Sequence, residues 1–186
     1  MNSGSYIEPY ARIRYGSMPP ASLGGSAEGR KALRRAIDEL NARARELGGN
    51  NRGRFVRKYL KPARLPDGNP WCASFVSWCF LEAEVGKKVN MPFAYTAGAR
   101  ALRRQFSKKG WAFQANDTIR PEPGDLVFWW RVRATGWQGH VGFVHQLKDG
   151  MLYTIEGNKS PRVQGFSYVL TRMEKLLGFG RVNLNA

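Results

Sequence analysis

The chain has 186 residues, 42% of them hydrophobic and 12% aromatic, which is enough to bury one substantial core in a single domain. Thirty Lys and Arg against fourteen Asp and Glu leave a formal charge of +16. That balance points to a polyanionic neighbour such as nucleic acid, anionic lipid or a bacterial wall polymer, with a solvated basic face serving solubility as the plain alternative. No stretch approaches the roughly 18 apolar residues of a membrane span, and no apolar run of a secretory signal opens the chain, so synthesis as a soluble cytosolic protein is expected, with any external target reached through another machinery.

Residues 1–25 are rich in Gly, Ser and Pro, with tyrosines at 6, 10 and 15, and read as an irregular arm. Residues 26–186 read as one domain. Leu33, Ala36, Ile37, Leu40, Ala44 and Leu47 form one apolar stripe, which predicts an amphipathic helix from about Ser26 to Gly48 with Arg34, Arg35, Arg43 and Arg45 outside the stripe. From Arg30 to Arg64 there are twelve basic and three acidic residues, so more than half of the excess charge lies in this basic face. Phe55, Val56, Tyr59 and Leu60 suggest a short second helix, and "KPARLPDGNP" a turn-rich connection.

The stretch "NPWCASFVSWCF", Asn69 to Phe80, holds both cysteines of the chain. Asn69 suits an N-cap and Pro70 the first helical position. Phe75, Val76, Cys79 and Phe80 then recur at helical spacing, with a stop at Gly86. Seven residues of helix separate the two Cα atoms by roughly 10.5 Å, beyond the roughly 7 Å limit for a disulfide. The same separation disqualifies Cys72, Cys79, His140 and His145 as one tetrahedral zinc set, and no cofactor is expected. Cys72 falls in the first turn, where free N–H groups and the helix dipole favour a thiolate; its alternative is a small core residue, which is the reading preferred for Cys79.

A fourth helix is expected from Thr96 to Phe106. From Asp125 onward "DLVFWW", "HVGFVHQL", "MLYTIE" and "GFGRVN" are β-branched and aromatic runs between turn signals. Helices followed by an antiparallel sheet make the class α+β. His140 opens one strand, while Glu156 and Asn158 close the next, with "KDG" between them. A two-residue turn would pair positions whose numbers sum to 299 and leave His140 and Glu156 on opposite faces. A three-residue loop with Gly150 left-handed makes the sum 298. His140, Glu156 and Asn158 then share one face while Val141, Phe143, His145 and Ile155 take the other. An imidazole beside a carboxylate is what a thiol nucleophile needs, so the three-residue loop is expected, and His145 is expected to be structural.

"WCASFVSWCF", "PGDLVFW", "GHVGFV" and "TIEGN", in this order, resemble the CHAP family, the cysteine, histidine-dependent amidohydrolases/peptidases with a papain-like fold. The resemblance spans about 50–158. It implies Cys72 as nucleophile, His140 as base, Glu156 as the orienting acid and Asn158 as an auxiliary amide, with Asp125 structural in the "PGD" turn. It also implies peptidoglycan as substrate, cleaved between muramic acid and L-alanine or within the stem peptide and cross-bridge, by a phage lysin or an injected effector. Anionic wall polymers would gather at the Arg30–Arg64 face. Two readings from other classes remain beside it: a basic nucleic-acid-binding protein, and a wall-binding protein without catalysis.

Overall fold

Ser26 caps the first long helix, its Oγ accepting the Gly29 N–H at 3.1 Å, and Ala32, Leu33 and Ala36 on one face are buried. In this computed structural model, which describes residues 10–84 and 91–184, helix α1 spans Ala27–Asn41. It stops a full turn and more before the expected Gly48. Arg43 adopts the left-handed conformation, φ +54°, and the chain turns so that Arg45 can bridge to Arg162. Helix α2 covers Arg54–Leu60, α3 Cys72–Glu84 and α4 Ala99–Lys108. The expected helix stop at Gly86 lies outside the described residues.

Helix α3 is apolar nearly all round, with Phe75, Val76, Cys79 and Phe80 each at most 1% exposed, as befits a helix enclosed on all sides. It packs between α1 and the sheet, its Phe75 and Phe80 rings 6.4 and 5.8 Å from Phe143. The sheet has strands β1 (Tyr10–Arg12), β2 (Ala112–Phe113), β3 (Leu126–Trp130), β4 (Gly139–Lys148), β5 (Met151–Ser160), β6 (Arg162–Val169) and β7 (Leu176–Gly180). They are all antiparallel in the order β1-β6-β5-β4-β3-β7-β2. The α+β class holds. Val141, Phe143, Ile155 and Val163 face the helices, while Val127, Trp129, Val144, Phe166 and Tyr168 form a second apolar cluster.

Two expectations are corrected. Tyr10–Arg12 of the supposedly irregular arm is an edge strand on β6, Tyr10 lying opposite Tyr168. The β4–β5 connection is a two-residue turn, since Lys148 pairs with Met151 and Leu147 with Leu152. Asp149 and Gly150 both have positive φ, 50° and 76°, the signature of a type I′ hairpin turn. Parity is restored further along by a bulge: Gln146 pairs with Tyr153, but Val144 pairs with Thr154 and Phe143 with Ile155. His145 is the inserted residue, and beyond it the positions sum to 298.

Candidate active site

Helix α3 begins at Cys72, two residues later than an Asn69 cap would place it. The Asn69 amide instead donates to the Pro66 carbonyl at 3.0 Å. Trp71 occupies the cap position and is pinned from several sides. Its backbone N–H donates to Asn158 Oδ1 at 3.0 Å, its indole N–H to Glu46 Oε1 at 3.0 Å, and its ring stacks on Tyr59. Asn158 Nδ2 in turn donates to Asn51 Oδ1 at 2.6 Å. The structure thus brings Asn158 to the start of α3 rather than to the imidazole.

His140 faces Trp129 across the β3–β4 ladder, their rings 5.5 Å apart. Its Nε2 lies 2.7 Å from Glu156 Oε2, and its Nδ1 is 3.1 Å from Arg131 Nη2. A guanidinium can only donate, so the Arg131 bond fixes Nδ1 as an acceptor and places the imidazole proton on Nε2, toward Glu156. Glu156 is fully buried. Its other oxygen accepts from Thr154 Oγ1 and Tyr168 Oη, both at 2.6 Å, and Lys159 Nζ donates to Tyr168 Oη at 2.5 Å. Gly142 lies on this same face, where an added Cβ would come within 2.5 Å of Glu156 Cγ. Only glycine leaves room for the carboxylate under the imidazole.

Cys72 and His140 act on each other, each shifting the other's proton affinity. Burial pushes the thiol up, but His140, the Arg131 guanidinium and the Ala73 N–H outweigh it and hold Cys72 below a thiol's ordinary value. His140 moves the other way: burial lowers it, yet Cys72 and Glu156 raise it above the usual imidazole value. Burial also works against a Glu156 charge, and the His140 contact overcomes that and keeps the carboxyl below its usual range. The Arg131 bond belongs to the neutral imidazole; the three shifts favour passing the thiol proton to Nδ1, which ends that bond, beside a carboxylate that stays charged. Cys79 is the opposite case, since burial pushes it well above the ordinary thiol value. Both cysteines are free thiols.

Asp125 is buried and clamped by Arg181 at 2.9 and 2.8 Å while accepting the Glu122 N–H. Burial pushes it up to about 6. His145 points to the helix side, its Nε2 bonded to the Pro19 carbonyl at 2.6 Å. Sequence reasoning singled out Cys72, His140 and Glu156, which the structure brings together. It missed Arg131, Thr154 and Tyr168. Thr154 could have been found, because it stands two residues before Glu156 on the same strand face.

The CHAP domain profile matches residues 64–158, just over half of the chain, and the protein belongs to that family. No curated protein matches it in sequence. Among solved structures, one described as the crystal structure of Ly7917 with the hydrolyzing product of MDP matches with a TM-score of 0.49 and 12% identity. The alignment covers 83% of this chain and 62% of that one.

Proposed function

We propose that the protein is a cysteine-dependent peptidoglycan amidohydrolase, cutting either the muramoyl–L-alanine bond or an amide of the stem peptide or cross-bridge. The observation that carries this is an imidazole held at 2.7 Å by a buried carboxylate, beside a helix-start thiol that His140 and Arg131 hold below its ordinary value. Family membership and the hydrolysis product named in the Ly7917 structure support the choice of substrate. Such an activity is exerted in the bacterial envelope, as by a released lysin or an injected antibacterial effector.

In this mechanism His140 takes the Cys72 proton and the thiolate sulfur attacks the amide carbon. The carbonyl electron pair moves to oxygen, where the Cys72 N–H donates to the developing charge. As the first residue of α3, Cys72 has no intrahelical acceptor for that N–H. His140 then gives its proton to the leaving nitrogen, the C–N bond breaks and a thioester remains. Water attacks the thioester, its proton passing to His140, and the C–S bond breaks to release the acid and the thiol. Arg131 donates to Nδ1 only while that nitrogen is unprotonated, so formation of the imidazolium ends that bond, while the guanidinium charge favours the thiolate. Glu156 keeps its charge throughout and stabilises the imidazolium.

Cys72→Ala tests this on purified wall. Loss of all fragment release with wall binding retained supports the enzyme. Unchanged release refutes it. Mass spectrometry of the wild-type fragments names the bond, because a new L-alanine terminus and a new stem-peptide end differ in mass.

A further inference from the structure

Beside the end of α1 lies a cavity of about 440 Å³ that includes none of Cys72, His140 or Glu156. Five arginines line it from three separate parts of the chain: Arg12 at the end of β1 with Arg14 just after it, Arg43 and Arg45 after α1, and Arg162 at the start of β6. No acidic residue lines it, and among the described residues none of the five has an ion-pair partner. Several basic side chains elsewhere do have such partners. Arg181 holds Asp125, Lys58 holds Glu39 and Arg57 holds Asp67.

The backbone here works against its own stability. Arg45 stands directly opposite Arg162 in an antiparallel bridge, fixed by Val163 N–H to the Ala44 carbonyl and Glu46 N–H to the Pro161 carbonyl, both at 2.9 Å. Like charges directly opposed are destabilising. Arg43 occupies a left-handed position, φ +54°, that glycine fills at less cost. Its guanidinium lies 4.2 Å over the Tyr15 ring, and Tyr15 Oη donates to the Asn41 carbonyl at 3.1 Å, so the fork is held in place before any ligand arrives. Departures from local preference concentrate at functional sites. Guanidinium forks match phosphate oxygens bidentately, and a cavity of this size holds more than one such group.

We infer that this cavity binds phosphate groups borne on a glycan or polyol polymer of the bacterial envelope, anchoring the enzyme beside its substrate. The phosphate chemistry follows from the arginines alone; the choice of an envelope polymer rests on the function proposed above. Nucleic acid is the less suited polyanion, because single strands are held by successive bases stacking on aromatic faces, and the cavity has one aromatic ring, Tyr15, with one of its faces taken by Arg43.

The test measures binding of the full chain at 150 mM salt, a near-physiological strength, to poly(glycerol phosphate), to deep-rough lipopolysaccharide, and to oligothymidylate of equal phosphate number. The pocket variant Arg43→Gln/Arg45→Gln/Arg162→Gln is compared with a charge-matched reference, Arg34→Gln/Arg104→Gln/Arg172→Gln, whose positions are exposed elsewhere. The expected result is at least a tenfold loss in the pocket variant, a salt slope shallower by about 2, and retention in the reference. The melting temperature of the pocket variant should equal or exceed that of the wild type, since a like-charge pair is removed. Binding of the polyol phosphate or of the lipopolysaccharide, lost in the pocket variant, supports the inference and identifies the source of the phosphate. Equal binding by both variants overturns it, as does oligothymidylate binding as tightly with the same loss. None of these probes needs an amide cleaved, so a failure here is distinct from a failure of the Cys72→Ala experiment.

Discussion

Replacing Glu156 by Gln removes one charge with almost no change of shape, so its effect can be worked from the hydrogen bonds around it. The carboxylate accepts from His140 Nε2, Thr154 Oγ1 and Tyr168 Oη, and the amide can meet these partners in two ways. With its NH₂ toward His140, the imidazole proton must move to Nδ1, where it confronts the Arg131 guanidinium 3.1 Å away. That orientation is rejected. With its carbonyl toward His140, the imidazole keeps its tautomer and the NH₂ faces Thr154 and Tyr168, whose hydroxyls must turn to accept. Tyr168 already accepts from Lys159, so its own proton loses its acceptor at a cost of about 1–2 kcal/mol. That corresponds to a fall of about 2–8 °C in melting temperature. The protein stays folded.

The catalytic loss is larger. At an effective dielectric of about 20, opposite charges about 4 Å apart attract by about 4 kcal/mol. The Gln carbonyl recovers part of that, which leaves about 2–3 kcal/mol missing from the imidazolium-bearing transition state, or a fall of about 30- to 150-fold in kcat/KM. The assay is fragment release from purified wall, together with the pH dependence of iodoacetamide alkylation at Cys72, whose thiolate fraction should need higher pH once the imidazolium is less stable. A variant with wild-type kcat/KM and an unmoved alkylation profile would show that Glu156 neither charges nor orients His140.

In the wild type, Cys72 should alkylate well below pH 8.5, the ordinary thiol value, while Cys79 reacts only in denaturant; equal native rates would contradict the depressed thiol. Activity should rise with pH through the lowered Cys72 value and fall through the raised His140 value, giving a broad plateau that a single ionisation would not produce. The linkage has a definite sign. His140 is raised in the fold, so its stabilisation is complete below its unfolded value of about 6.5 and is lost as pH climbs through the folded one; Glu156 is depressed, so its contribution is complete above about 4.3 and is lost on acidification. Chemical denaturation of wild type and Glu156→Gln across pH 3–9 checks both limbs. Asn158→Ala should destabilise by about 2 kcal/mol, through the lost Trp71 tether and a left-handed alanine at φ +62°. Asn158→Gly should recover the backbone part only, and identical melting temperatures for the two variants would refute that division.

The parts of the fold that were legible in sequence are those where one periodicity meets one core. Ala32, Leu33 and Ala36 mark the buried side of α1, and Phe75, Val76, Cys79 and Phe80 mark α3, because the apolar positions fall where packing requires them. Cys72, His140 and Glu156 were legible because few residue types can do the chemistry proposed for them. Arg131 was not, since nothing distinguishes it from the other 29 basic residues until the β3–β4 loop sets it against Nδ1. Tyr168 was lost with strand β6, whose alternation is diluted by Gln164, Gly165 and Ser167. The Asn69 cap was locally sensible and yielded to tertiary structure, because Trp71 has long-range partners in Glu46, Tyr59 and Asn158 that fix the helix start two residues on.

The hairpin shows why a correct face can follow from a wrong turn. A type I′ turn at Asp149 and Gly150, continued in perfect register, would put Glu156 on the far face from His140 and leave the imidazole without its carboxylate. The bulge at His145 shifts the count by one between the turn and the site, which a local turn signal cannot reveal. The inserted residue is not left loose. His145 is buried, and its Nε2–H is taken by the Pro19 carbonyl while Nδ1 has no partner among the described residues. Burial holds it below the usual imidazole value, so it stays a neutral donor to the arm. The segment that reads from sequence as an irregular arm therefore fastens the residue that sets the register, and the register sets Glu156 under His140. Between Pro19 and the Glu156 carboxylate the connection is the His145 side chain and the pairing of β4 with β5.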